Sequence, residues 1–279
     1  AFCSSMDQAG PFSKDAFGCA ALLDAMASYD EKDSTCTKRK DINFEKSLSK
    51  DFGSLNIGVI KDIEKLGINE DVINAYETSK TVLTGLGHKL VEVDFSELSS
   101  GICSYYVIAP AECSSNLSRF DGIKYGYRSE GEKDITNLYM NTRSDGFGDE
   151  VKKRILIGTH VLSAGFYDAY YLQAQKVRRM IKEKFKNFFK DVDLIFMPTT
   201  LDQAFEKNRK SDDPNRMYKE DLLTIPANLA GLPAISFPNG FKNNLPIGGQ
   251  LIGNYFGEDM LLNTTNKIQE VTDWHKMTP

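Results

Sequence analysis

Residues 55–95 read LNIGVIKDIEKLGINEDVINAYETSKTVLTGLGHKLVEVDF, and this stretch decides the fold. It opens on LNIGVI (55–60), a short apolar run with branched side chains, the pattern of a buried strand. Asn69 then offers a side-chain acceptor to cap a helix, with Glu70 and Asp71 placed against the positive end of its dipole. That helix runs to about Gly85, Gly87 turns the chain, and residues 89–95 alternate as a second strand. Strand, helix, glycine turn, strand is the βαβ rhythm of a sheet flanked by helices, so the expected class is α/β.

The rest of the chain extends this pattern. Residues 193–197 (DLIFM, stopped by Pro198), 234–237 and 247–252 read as further strands. Helices are expected over 11–28, entered at Pro11 and Ser13, over 148–159, over 168–190 with a basic outer face facing solvent, over 218–231 with Pro226 inside, and over 258–272. Residues 29–51 are polar and lysine-rich, a surface excursion without a core pattern. No repeat, low-complexity tract or clear linker interrupts the chain, and one domain over 1–279 is the simplest account.

Composition narrows the function. The 279 residues are 41% hydrophobic and 26% charged, with a net charge of -5. Phosphate neutralisation needs a basic excess, so any contact with RNA is local or made by a partner. No apolar run approaches the length of a membrane span. The start, Ala1 to Ser5, lacks the basic-then-apolar order of a signal peptide, and the absence of an initiator Met reads as a processed or partial sequence. Cys3, Cys19, Cys36, Cys103 and Cys113 are odd in number and widely spaced, which suits reduced thiols in a cytosol-like compartment. His88, His160 and His275 are far apart, so no zinc site is signalled.

Four stretches are too rich in Gly, Pro and small polar residues to be core alone. They are SSMDQAGP (4–11), RSDGFG (143–148) running on to Lys153 and Arg154, DLLTIPANLAGLP (221–233), and LPIGGQLIG (245–253). Each also has an ordinary reading: a helix cap, a flexible solvent loop, a capping Asp before a kinked helix, and a strand with a bulge. None has the order of a phosphate-binding loop, a dinucleotide fingerprint or a nucleophile elbow. By themselves they support an α/β domain with enzyme-like loops and no more.

Taken in order, longer blocks resemble one family. These are SSMDQAGPFSKDAFGCAALLDAM (4–26), YYVIAPAECSSNLSRFDGIKYGYR (105–128), TRSDGFGDEVKKRILIGTHVLSAGFYDAYYLQAQKVR (142–178), DDPNRMYKEDLLTIPANLAGLPAISFPNGF (212–241) and LPIGGQLIGNYF (245–256). They are similar to the C-terminal part of amidase-signature enzymes, in the glutaminase branch that serves tRNA-dependent amidation, glutamyl-tRNA(Gln) or aspartyl-tRNA(Asn). The resemblance implies a large, mixed, twisted sheet covered by helices on both faces, incomplete here on its N-terminal side. It also implies a Ser-cisSer-Lys triad that hydrolyses glutamine through a nucleophilic serine, with backbone N–H groups holding the oxyanion. The lysine, both serines and the glycine-rich signature align upstream of Ala1. Ser4, Ser5 and Ser13 belong to a different block and do not replace them, so this polypeptide is expected to be inactive alone.

What the resemblance leaves to this chain is substrate recognition. Free glutamine is a zwitterion, and by resemblance Arg154 takes its carboxylate, Asp221 its ammonium, and Tyr105 closes the pocket. Arginine suits the first role because its planar fork binds a carboxylate bidentately. Arg143 is the runner-up cation, and Asp7 and Gln8 are expected to brace the nucleophile loop. The implied partners are subunits B and C, with mischarged tRNA reached mainly through a partner. No cofactor is expected on this chain, ATP and Mg being used by the partner subunit. The implied location is a bacterial cytoplasm or an organelle matrix, with no membrane. Two other readings stand beside this one: another amidase-signature hydrolase, disfavoured because a neutral amide would leave both charges unpaired, and a non-catalytic binding scaffold.

Overall fold

The structure is a computed structural model and describes residues 1–39, 43–207 and 220–279. Packing groups these residues into two compact units, one of residues 1–8 and 100–181, the other of residues 9–99 and 182–279.

The second unit holds the sheet. β1 (Asn56–Ile60) and β2 (Lys89–Val93) pair in parallel and are joined by α3 (Glu70–Gly85), as residues 55–95 predict. β3 (Leu194–Pro198) joins β1 in parallel, β5 (Leu245–Gly253) pairs antiparallel with β3, and β4 (Ala234–Lys242) closes the order β2-β1-β3-β5-β4. The sheet is therefore mixed, with helices on both sides. Leu194, Ile195, Phe196 and Met197 are all fully buried, which requires cover on both faces. Each such side chain contributes roughly 1.5–3 kcal/mol. Tyr76 of α3 stacks on Phe196 at 5.2 Å, and its hydroxyl accepts the Ile60 N–H at 2.8 Å. Burial of that ring pushes the phenol above its ordinary range. The Asn69 side chain caps α3 through the Asp71 N–H at 2.9 Å.

Outside α3 and the sheet lie α1 (Ala16–Met26), α2 (Phe44–Ser47) and the C-terminal α9 (Glu258–Val271). The first helix starts later than expected: Asp15, not Pro11 or Ser13, is its cap, accepting the Gly18 N–H at 2.7 Å. The 29–51 excursion also touches core. Phe44 is 3% exposed and packs with Ala20 and Leu262, because Asp24 accepts the Phe44 and Glu45 N–H groups and starts a helical turn there. Asn263 of α9 then donates to three carbonyls, Ser47, Leu48 and Lys50, at 2.8–3.0 Å.

The first unit is helical: α4 (Gly101–Leu117), α5 (Ile135–Gly146), α6 (Asp149–Val161) and the first part of α7 (Leu172–Phe188), entered through a π-helical turn at Tyr167–Tyr171. The expected flexible loop at 143–148 is mostly the last turn of α5, so only Phe147 and Gly148 link two helices. α4 and α6 pack directly at Gly158, where a Cβ would stand 1.9 Å from the Pro110 carbonyl oxygen. No side chain fits at that crossing.

Candidate functional site

In the first unit, residues 2–7 form a tied turn. The Asp7 carboxylate accepts the Phe2 and Cys3 N–H groups at 2.8–3.1 Å, and Cys3 C=O accepts from Met6 and Asp7. So Asp7 braces its own segment. Glu112 of α4 accepts the Ser5 N–H at 2.9 Å, the Ser5 hydroxyl and the Cys3 thiol. Arg178 of α7 donates to the Ser5 hydroxyl and carbonyl at 2.6 and 2.7 Å, and Asn116 donates to Phe2 C=O and Ser4 Oγ. Burial first, then the Glu112 hydrogen bond and charge, push the Cys3 thiol up to about 12. It is therefore an inert thiol, because the thiolate is the reactive species. All five cysteines are free.

Arg154 and Tyr105 stand on α6 and α4, the two packed helices of this unit. The Arg154 guanidinium lies 5.8 Å from the Phe2 ring, with its Nε 3.3 Å from Glu150 Oε1. Its side chain is 31% exposed. The hold of Glu150 on it is weak, since an exposed i,i+4 pair contributes about 0.3–0.5 kcal/mol. Arg154 also pulls against the burial that raises the Cys113 thiol. Tyr105 is half-buried and meets Tyr106 edge-on at 5.1 Å. Arg143 differs: its NH1 donates to Leu117 C=O at 2.8 Å, the last carbonyl of α4, and to Phe120 C=O at 3.0 Å, just beyond it. The runner-up cation is thus a helix cap.

Asp221 lies in the second unit, in a turn ahead of α8 (Ile225–Ala230). The expected 218–231 helix is shorter; residues 218 and 219 lie outside the described residues, and α8 begins at Ile225. Pro226 then falls in the first turn, where a missing N–H loses no bond. Asp221 C=O accepts the Thr224 and Ile225 N–H groups at 3.2 and 3.0 Å. Gly231, at φ +73°, ends α8 in the left-handed region, which turns the chain into β4.

Sequence reading missed the residue that fastens this turn. Gln250 of β5 is 3% exposed, and its Nε2 donates to Leu223 C=O at 2.9 Å and Pro198 C=O at 3.1 Å. The only signal for it was an amide inside a buried, glycine-flanked strand. Among the described residues, no group of three or more His, Cys, Asp or Glu side chains is arranged to hold a metal. Nor is any helix among them long and apolar enough to cross a membrane.

Comparison with known proteins gives these positions a context. Proteins named for the A subunit of glutamyl-tRNA(Gln) amidotransferase match all of this chain, at 49% identity in Coxiella burnetii and 50% in Hahella chejuensis. The chain spans 58% of the length of those relatives. The crystal structure of the protein of the same name from Thermotoga maritima superposes with a TM-score of 0.78 at 36% identity, covering 100% of this chain and 56% of that one. A 6-aminohexanoate cyclic dimer hydrolase shares the fold, with a TM-score of 0.72 at 19% identity over 96% of this chain and 55% of its own. The amidase family profile matches residues 1–262 and runs through both units, so this chain belongs to the amidase family.

Proposed function

We propose that this chain is the amino-acid-recognising part of a glutamine-hydrolysing amidotransferase subunit that supplies ammonia for amidating glutamate, or aspartate, on tRNA. The observation that carries the proposal is the match of all 279 residues, at about half identity, to proteins of one such name. In this reading Arg154 takes the α-carboxylate of glutamine, Asp221 takes the ammonium, and Tyr105 shields the bound amino acid. The contacts of the two arginines support the choice: Arg143 is committed to backbone carbonyls, whereas Arg154 meets a surface carboxylate and an aromatic face. Ammonia passes to partner subunits B and C, where ATP and Mg activate the tRNA-bound acid, and the chain itself holds no cofactor. The complex works in a bacterial cytoplasm or an organelle matrix.

Hydrolysis needs the Ser-cisSer-Lys set, which these 279 residues do not supply in this reading, so binding can be measured without turnover. Calorimetry on the purified chain should show saturable binding of L-glutamine. Glutaramate, which lacks the ammonium, and 4-aminobutanamide, which lacks the carboxylate, should both bind more weakly. Equal affinity for all three would refute recognition of the zwitterion. Ammonia release from glutamine above blank would refute the absence of the catalytic set.

A further inference from the structure

We infer that Gln250 is a positioning residue for Asp221: its side-chain amide sets the direction in which the 221–224 turn presents the carboxylate. This rests on the reading that Asp221 meets the ammonium of glutamine.

The geometry is specific. Gln250 pairs with Met197 across the β3–β5 ladder, so its Cα is held by the centre of the sheet. Its amide is buried and spends its two N–H bonds on two carbonyls, Pro198 at the end of β3 and Leu223 in the turn. Pro198 C=O fixes the amide plane against the sheet, and Leu223 C=O is then the one group that amide orients. Leu223 is itself 1% exposed, so its side chain anchors the depth of the turn. Burial sets depth but carries no direction. The carbonyl bond is directional, and Asp221 is two residues away in the same hydrogen-bonded turn, closed by Thr224 and Ile225. A side chain of equal size without a donor would keep the packing and lose the orientation.

The experiment compares two ligands on the purified chain, L-glutamine and glutaramate. Only the first carries the group Asp221 is to recognise. Gln250→Met keeps length and removes the donor, and Gln250→Glu keeps shape and replaces the donor with an acceptor. Far-UV circular dichroism matching the parent qualifies each variant as folded. A misaimed carboxylate weakens a hydrogen bond to a charged group, so glutamine affinity should fall by roughly ten- to a hundredfold in either variant. Glutaramate affinity should not move. Gln250 variants that weaken both ligands equally, or neither, overturn the positioning role. Asp221→Asn separates the two levels: if it weakens glutamine and glutaramate alike, or if the parent binds neither, the Asp221 reading itself falls. If Asp221→Asn is selective for glutamine and the Gln250 variants are not, only the inference about Gln250 is lost.

Discussion

Gly158→Ala adds one methyl group where α6 crosses α4, and its cost can be worked from the crossing. The added Cβ would stand 1.9 Å from Pro110 O, 2.4 Å from Pro110 C and 2.8 Å from Ser114 Cβ. A tolerable C···O approach is about 3.3 Å, so the helices must part by about 1.4 Å. Two of the three obstacles are backbone, and no rotamer change relieves them. Overpacking of this kind costs about 1–3 kcal/mol, and the position belongs at the upper end. Alanine returns up to about 1 kcal/mol of helix propensity. The net loss is about 2 kcal/mol, or roughly 4–8 °C in melting temperature for a chain of this size class. The parting would also stretch the Ser114–Thr159 hydroxyl pair, now 2.9 Å apart. Gly85→Ala is the matched control: Gly85 is helical, with nothing within 4 Å of its added Cβ, and should hold or gain stability. Thermal melts followed at 222 nm on the parent and both variants decide the matter. A Gly158→Ala chain that melts with the parent or above it would refute the close packing of α4 on α6. The result bears on the proposed role of Arg154 too, because Arg154 lies one turn before Gly158 on the same face of α6.

Three further outcomes follow from buried polar groups. His88 accepts the Leu55 N–H on Nδ1, and burial first, then Lys267, depress its pKa below 6.5. The unfolded chain therefore takes up the proton first, so this contribution is complete above about pH 6.5 and is lost as pH falls toward the folded value. Urea midpoints should decline over that window, and less steeply in His88→Asn. Asn239 is 1% exposed and neither end of its amide meets a partner among the described residues, so Asn239→Leu should raise the urea midpoint, by about 1 kcal/mol in stability. Asn263→Asp sets a carboxylate against the carbonyls of residues 47, 48 and 50 and should cost roughly 3 kcal/mol or more. Its loss should be greater at pH 8 than at pH 5, where the buried acid is more readily protonated; an equal loss would show that charge is not the cause.

The sheet was legible because strands announce themselves locally. LNIGVI, DLIFM and the alternation after Gly87 carry their own period, and Asn69 carries its own cap. Elements that depend on partners were less visible. β4 runs through Pro238 because it is an edge strand with a bulge between Pro238 and Gly240, where a missing N–H costs little. α5 hides because Leu138 and Thr142 are its only buried residues, too few for an apolar stripe. The register of α6 is set at Gly158 by the absence of a side chain, which periodicity cannot register. Among the candidate site residues, the chemical logic of Arg154 and Asp221 came from family resemblance. The tether of the turn beside Asp221 was not legible, since Gln250 meets Pro198 and Leu223, distant in sequence, only once the sheet has formed.

Trp274 is the chain's single tryptophan and sits in a short 3-10 turn at Trp274–Lys276, in the unit that carries the sheet. It lines a cavity of about 370 Å³ with Asp71, Asn74, Asn239 and Lys242. Intrinsic indole emission therefore watches the β4 side of that unit. A folding or titration study that relied on this one indole would report on the unit that carries the sheet, and a label on the exposed Cys103 of α4 would give the helical unit a voice of its own.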